Sequence, residues 1–86
     1  MLHARSDYNE RIQDAAELIP ADEPVFLIRA QDVVSADAVR AWAHLHRING
    51  GSDVVYEAVM RHAALMEMWG KEHVTKHADV PPGKQL

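Results

Sequence analysis

The side chains able to do chemistry in this sequence are mainly histidines and carboxylates. Six histidines stand in 86 residues. His73 and His77 are four positions apart and would share one face of a continuous helix, a spacing at which two imidazoles can hold a divalent metal, with Glu72 and Asp79 close by as further ligands. No His-Glu-x-x-His pattern accompanies them, and Gly70 weakens the helix that would carry them. A polar last turn, where cationic side chains suit a helix C-terminus, accounts for the pair, and no metal site is assigned. His62 falls within an apolar stripe. It reads as a core histidine bonded to a carbonyl or a carboxylate, with a pH-sensitive base as the sharper alternative. His44 and His46 fall on or beside an exposed helix side and receive no role. The hydroxyl nucleophiles are Ser6, Ser35, Ser52 and Thr75, and each serine stands where a helix N-cap is wanted. There is no Gly-x-Ser-x-Gly elbow, phosphate loop or Gly-x-Gly-x-x-Gly turn. The chain has no cysteine, which excludes disulfides, thiolate metal sites and a thiol nucleophile. A domain of this size has little room for a pocket of about 300 Å³. The expectation is a protein with no catalytic residues, no metal and no cofactor.

Charge narrows the partners. Nine Lys and Arg stand against thirteen Asp and Glu, a formal charge of −4. That balance argues against nucleic-acid binding, which draws its affinity from phosphate contacts. Residues 1–37 hold eight acidic and three basic side chains, whereas residues 38–86 are nearly neutral. An acidic face for a basic partner fits this asymmetry, and so does a solvated helix exterior. The longest apolar run, Val25 to Ile28, is far short of the roughly 20 residues that span a membrane, and the start of the sequence lacks the apolar stretch of a signal peptide. A cytoplasmic setting is the expectation.

These residues must be positioned by few elements. A first helix is expected over 7–19, capped by Ser6, with Tyr8, Ile12, Ala15 and Ile19 as its apolar stripe and Pro20 as its stop. The run Val25-Phe26-Leu27-Ile28-Arg29-Ala30 reads as a strand, and no second strand is evident in the sequence. A lone strand cannot satisfy its own backbone, so Val25, Phe26, Leu27 and Ile28 are expected to pair with the same segment of a second chain. A second helix is expected over 36–48 with Ser35 as cap and Ala38, Ala41, Trp42, Leu45 and Ile48 facing inward; Asn49-Gly50-Gly51 ends it. A third follows Ser52 and reaches at least Trp69, with Val55, Ala58, Val59, His62, Leu65, Met66 and Trp69 on its inner face. Met60 and Met68 fall on the opposite face, where methionines suit adaptable contacts. The fold class is therefore mainly α: one small three-helix domain over 1–77 with an extended segment at about 25–30, a core of Ile12, Ile19, Trp42, Leu45, Val59, Met66 and Trp69, and a flexible tail over 78–86.

The stretch Ile19-Pro20-Ala21-Asp22-Glu23-Pro24-Val25-Phe26-Leu27-Ile28-Arg29-Ala30-Gln31-Asp32 resembles a segment of short proteins encoded in bacteriophages and prophages. The likeness continues through the helix Ala38-Val39-Arg40-Ala41-Trp42-Ala43 and the ending Met66-Glu67-Met68-Trp69, and covers about residues 10–70. The resemblance implies a phage-related setting in a host cell and carries over no activity and no functional residue.

Together these readings point to a non-catalytic protein–protein interaction module with a host or phage protein as partner, and to a homodimer. Inhibition of a host defence or nucleic-acid-processing complex is one concrete form. The expected partner-binding residues are Glu10, Asp14 and Glu17 on the first helix, with Asp22 and Glu23 in the turn after it. A virion or assembly component is the second reading. A helix-turn-helix-like DNA-binding regulator is the third, favoured if Arg40, Arg47 and Arg61 converge; Asp53 and Glu57 at the start of the would-be recognition helix oppose it.

Overall fold

The computed structural model describes residues 1–80. It is mainly helical with a small two-stranded parallel sheet. In chain order the elements are β1 (Leu2–His3), α1 (Tyr8–Arg11), β2 (Pro24–Val25), α2 (Ser35–Ile48) and α3 (Asp53–Glu72). Within the span read as one domain, the chain divides into two compact units. One comprises Met1–Leu27 with the residues from Asp79, the other Ile28–Ala78. The tail expected over 78–86 lies from Pro81 onward outside the described residues.

The first unit corrects two expectations. The strand has a partner within its own chain: Leu2 lies opposite Pro24 and His3 opposite Val25 in a parallel pair. The Leu2 amide donates to the Glu23 carbonyl at 2.9 Å, and the terminal ammonium of Met1 donates to the Pro20 carbonyl at 2.7 Å. Only two residues of each strand pair, so Phe26, Leu27 and Ile28 run on outside any ladder. Proline at the first position of β2 costs the ladder no donor it needs. A parallel pair requires a crossover, and residues 4–23 supply it. The crossover is not the one long helix expected over 7–19. The first helix stops at Arg11, and Ile12 is already extended at φ −116°, ψ 112°. Beyond it the Asp14 carboxylate accepts from the Ile19 amide at 2.6 Å, an aspartate drawing a backbone donor out of helical bonding. Glu17 stands in the left-handed region at φ 56°. The cap residue is Asp7 rather than Ser6. The anchor of this unit is Tyr8, which is buried. Arg5 and Arg11 lie over its ring at 5.1 and 5.3 Å, and His3 meets it edge-on at 5.9 Å.

The second unit is an antiparallel helical hairpin. Its helices begin and end within a residue or two of the sequence expectation. Ser52 caps α3, its hydroxyl accepting from the Val55 amide at 3.2 Å. Val34 is the cap of α2 and has no side-chain bond to offer. Asp32 serves instead, accepting from the Val34 amide with its carboxylate and from the Ser35 amide with its carbonyl, both at 3.0 Å. Ser35 becomes the first helical residue, buried, with its hydroxyl toward the Ala30 carbonyl at 3.4 Å. Gly50 takes φ +88° between the helices, a conformation that an L side chain resists. At the open end an isolated bridge joins Asp32 to Lys76, with Lys76 donating to Gln31 at 2.8 Å and Val33 to Lys76 at 3.0 Å.

The core differs most from expectation. The helices meet through alanine: Ala43 and Ala63 are each 0 % exposed, and Met66 is the large apolar residue buried beside them. Val39, His46, Tyr56, Val59 and Met60 are half-buried along the same seam. Trp42, Leu45, Ile48, Leu65, Trp69 and His62, all assigned to inner stripes, are exposed. So is Ile12, while Ile19 is half-buried. Among the described residues no large side chain is fully enclosed.

Two substitutions test this seam by urea denaturation. Ala43→Leu forces a larger side chain into a fully buried position and should lower stability by about 1–3 kcal/mol. Gly50→Ala meets no atom within 4 Å, so its cost of about 1–2 kcal/mol is backbone strain alone. An Ala43→Leu midpoint equal to that of the parent chain would contradict the alanine seam.

Candidate protein-interaction surface

The alanine seam decides where every other hairpin side chain goes. Successive residues step by about 100° around a helix. One flank of the hairpin is polar and paired. There Arg40 donates to the Glu67 carboxylate and stands 3.6 Å from Asp37. Further along, Arg47 lies 4.1 Å over the Tyr56 ring, which His44 meets at 5.5 Å. Arg40 holds the Glu67 carboxyl below the usual carboxylate range, first by the hydrogen bond and then by charge, and Lys71 adds to this. In the first unit Asp7 is also lowered. Partial desolvation works against its charge, but hydrogen bonds from Arg5 at 2.7 Å and Arg11 at 3.1 Å prevail.

The opposite flank is apolar. Trp42 and His46 step off Ala43 in the reverse sense, as Val55, His62 and Trp69 step off Ala63. In an antiparallel pair, equal senses fall on one side, so these residues share a surface. Ala38 and Ala58 border it, whereas Leu45 and Leu65, two residues after Ala43 and Ala63, point to opposite outer edges of the hairpin. The exposures are large for such residues: 51 % for Trp42, 59 % for Leu45, 60 % for Leu65 and 40 % for Trp69. None of these side chains carries a charge, and both tryptophans of the chain are here.

Local packing holds the two rings. Trp42 stacks on His46, centroids 5.0 Å apart and planes 19° from parallel. His46 in turn covers Gly51 so closely that a Cβ there would fall inside its ring. His46 is thus half-buried at the seam, whereas the sequence placed it on or beside the exposed side. Its Nε2 is buried without a hydrogen-bond partner among the described residues. Trp69 stacks on His73 at 3.8 Å and 7°, and the His73 ring nitrogen lies 2.7 Å from the Trp69 carbonyl.

The remaining expected sites fare unevenly. Glu10, Glu17, Asp22 and Glu23 are exposed, and Asp14 is half-buried in its own turn. With α1 ending at Arg11, Glu10, Asp14 and Glu17 do not form one helical face. Val25 is half-buried in the in-chain ladder, Phe26 and Leu27 are exposed, and Ile28 is half-buried. Helix α3 ends at Glu72 with His73 extended, so His73 and His77 lose the i,i+4 geometry of a metal pair. No group of three metal-capable side chains occurs among the described residues. Arg40 is paired with carboxylates and Arg47 lies over Tyr56. Arg61, two residues from Ala63, points away from α2, so the three arginines do not converge. A shallow cavity of about 210 Å³ between Asp32, Ser35, Asp37, Glu67, Lys71 and Thr75 is smaller than ligand sites usually are. No helix is long and apolar enough to cross a membrane. Comparison with protein families, with curated proteins and with solved structures finds no match.

The Glu67–Arg40 pair gives a pH test. A carboxyl lowered in the folded chain contributes stability above its unfolded pKa, and that contribution is lost as pH falls through the folded value. Acidification from about pH 5 to 3 should therefore cost the parent chain more stability than Glu67→Gln. Equal losses, measured by urea denaturation at each pH, would contradict the pairing.

Proposed function

We propose that this chain is a non-catalytic protein–protein interaction module that works through the apolar flank of the α2–α3 hairpin. The observation that carries this reading is the exposure of Trp42 and Trp69 on one side of two well-formed helices. Exposed tryptophans are the side chains that most often dominate binding energy. The flank lacks the basic groups that phosphate recognition needs, which favours a protein partner over nucleic acid. The resemblance to short phage-encoded proteins supplies a setting in which the partner is a host or phage protein in the host cytoplasm, and inhibition of a host complex is the form we favour.

Trp69→Glu tests this without touching the seam, because the residue is exposed. Tagged chain is used to capture proteins from a bacterial lysate after nuclease treatment. Capture should be lost with Trp69→Glu and kept when Glu10, Glu17, Asp22 and Glu23 are reversed to lysine. The opposite pattern would move the contact to the acidic segment.

A further inference from the structure

We infer that Asn49 is a modification site of this chain: its side-chain amide is lost spontaneously to give aspartate and isoaspartate, at a rate set by opening of the turn between α2 and α3. The co-reactant is water.

The chemistry begins in the sequence. Gly50 follows Asn49, and its backbone nitrogen, with no side chain beside it, can attack the asparagine Cγ. A bond forms between that nitrogen and Cγ, and the Cγ–Nδ2 bond breaks. The Gly50 amide proton leaves with Nδ2 as ammonia, and a cyclic imide remains. Water then opens the imide at either carbonyl, which leaves aspartate or isoaspartate in the chain. Asn9 is the other asparagine of the sequence, and Glu10 follows it, with a side chain that crowds the same approach. Nothing crowds it at Gly50, where even a Cβ would meet no atom within 4 Å. Asn49 and Gly50 are both exposed to solvent.

The fold holds the reacting groups apart. Asn49 Nδ2 donates to the Leu45 carbonyl at 2.8 Å, and the Gly50 amide donates to the Arg47 carbonyl at 3.1 Å. The Gly51 amide donates to the His46 carbonyl at 2.8 Å, which completes a Schellman cap on α2. Closing a five-membered ring requires Cβ of Asn49 to eclipse the Gly50 nitrogen about the Cα–C bond. At ψ 16° the two lie on far sides of that bond. Attack therefore waits until the cap opens and the Asn49 backbone rotates.

The product cannot rebuild the cap. Aspartate sets a carboxylate where Nδ2 donated, against the Leu45 carbonyl at the negative end of α2. Isoaspartate adds an atom to the backbone just ahead of Gly51, which His46 covers so closely that not even a Cβ would fit. His46 stacks on Trp42, so the displacement reaches that ring. A transient opening of the hairpin is thereby converted into a permanent weakening of its end.

The test holds the full chain in mildly alkaline buffer, either folded or in guanidinium chloride, and maps its peptides by mass with detection of isoaspartate. Modification should appear at Asn49 and not at Asn9. It should be slower by about tenfold or more in the folded chain, because attack requires an opening that costs free energy. Ser52→Ala removes the hydroxyl that caps α3 beside the turn and should raise the folded rate about fivefold. Asn49→Asp should have a lower denaturation midpoint than the parent chain. Denatured chain that stays unmodified at Asn49, or is modified equally at Asn9, overturns the site. Equal rates in folded and denatured chain, or a folded rate indifferent to Ser52→Ala, overturn the control by the turn. An Asn49→Asp midpoint equal to that of the parent chain overturns the weakening.

Discussion

Burial of the small residues Ala43 and Ala63 where α2 packs on α3 is the constraint on which the hairpin depends. Two helices can approach closely only where the side chains between them are small, and neither alanine retains any solvent exposure. Once that seam is set, helical geometry fixes the rest. Arg40, Arg47, Tyr56 and Glu67 fall on one flank, where Arg40 pairs with Glu67 and Arg47 lies over Tyr56, and Trp42, Val55 and Trp69 fall on the other. The turn is fitted to the seam: Gly50 supplies the left-handed step, and Gly51 leaves the space that the His46 ring fills. His46 in turn supports Trp42. An alanine contact thus leads, through a glycine and a histidine, to the position of a surface tryptophan.

The helix ends of this unit were legible in the sequence because they depend on local chemistry. Ser52 before an apolar run and Asn49-Gly50-Gly51 after one mark ends whatever the helices pack against. The inward face was not legible. Hydrophobic periodicity picks the stripe with most apolar surface, and that stripe holds Trp42, Leu45, Leu65 and Trp69. The rule assumes that the apolar stripe is covered within the same chain. Here the stripe is exposed, while the seam next to it is built from smaller residues of weaker hydrophobic signal. Assigning His62 to the core follows from the same assumption.

The first unit resisted the sequence for a different reason. Its shape comes from a parallel pairing between residues 2–3 and 24–25, and nothing in two two-residue segments announces that they meet. The pairing turns residues 4–23 into a crossover in which the helix covers only four residues. The Asp14 carboxylate and the left-handed Glu17 mark the turn that follows it. The acidic residues expected to form one helical face are spread along that crossover.

The central claim is that the hairpin closes on alanine and leaves its tryptophans outside. Acrylamide quenching of tryptophan emission tests this most directly, provided that it is made on single chains, with their mass checked at the dilution used. The account predicts red-shifted emission that acrylamide quenches readily while circular dichroism stays helical. Blue-shifted emission resistant to acrylamide in single helical chains would place the rings between the helices and contradict it.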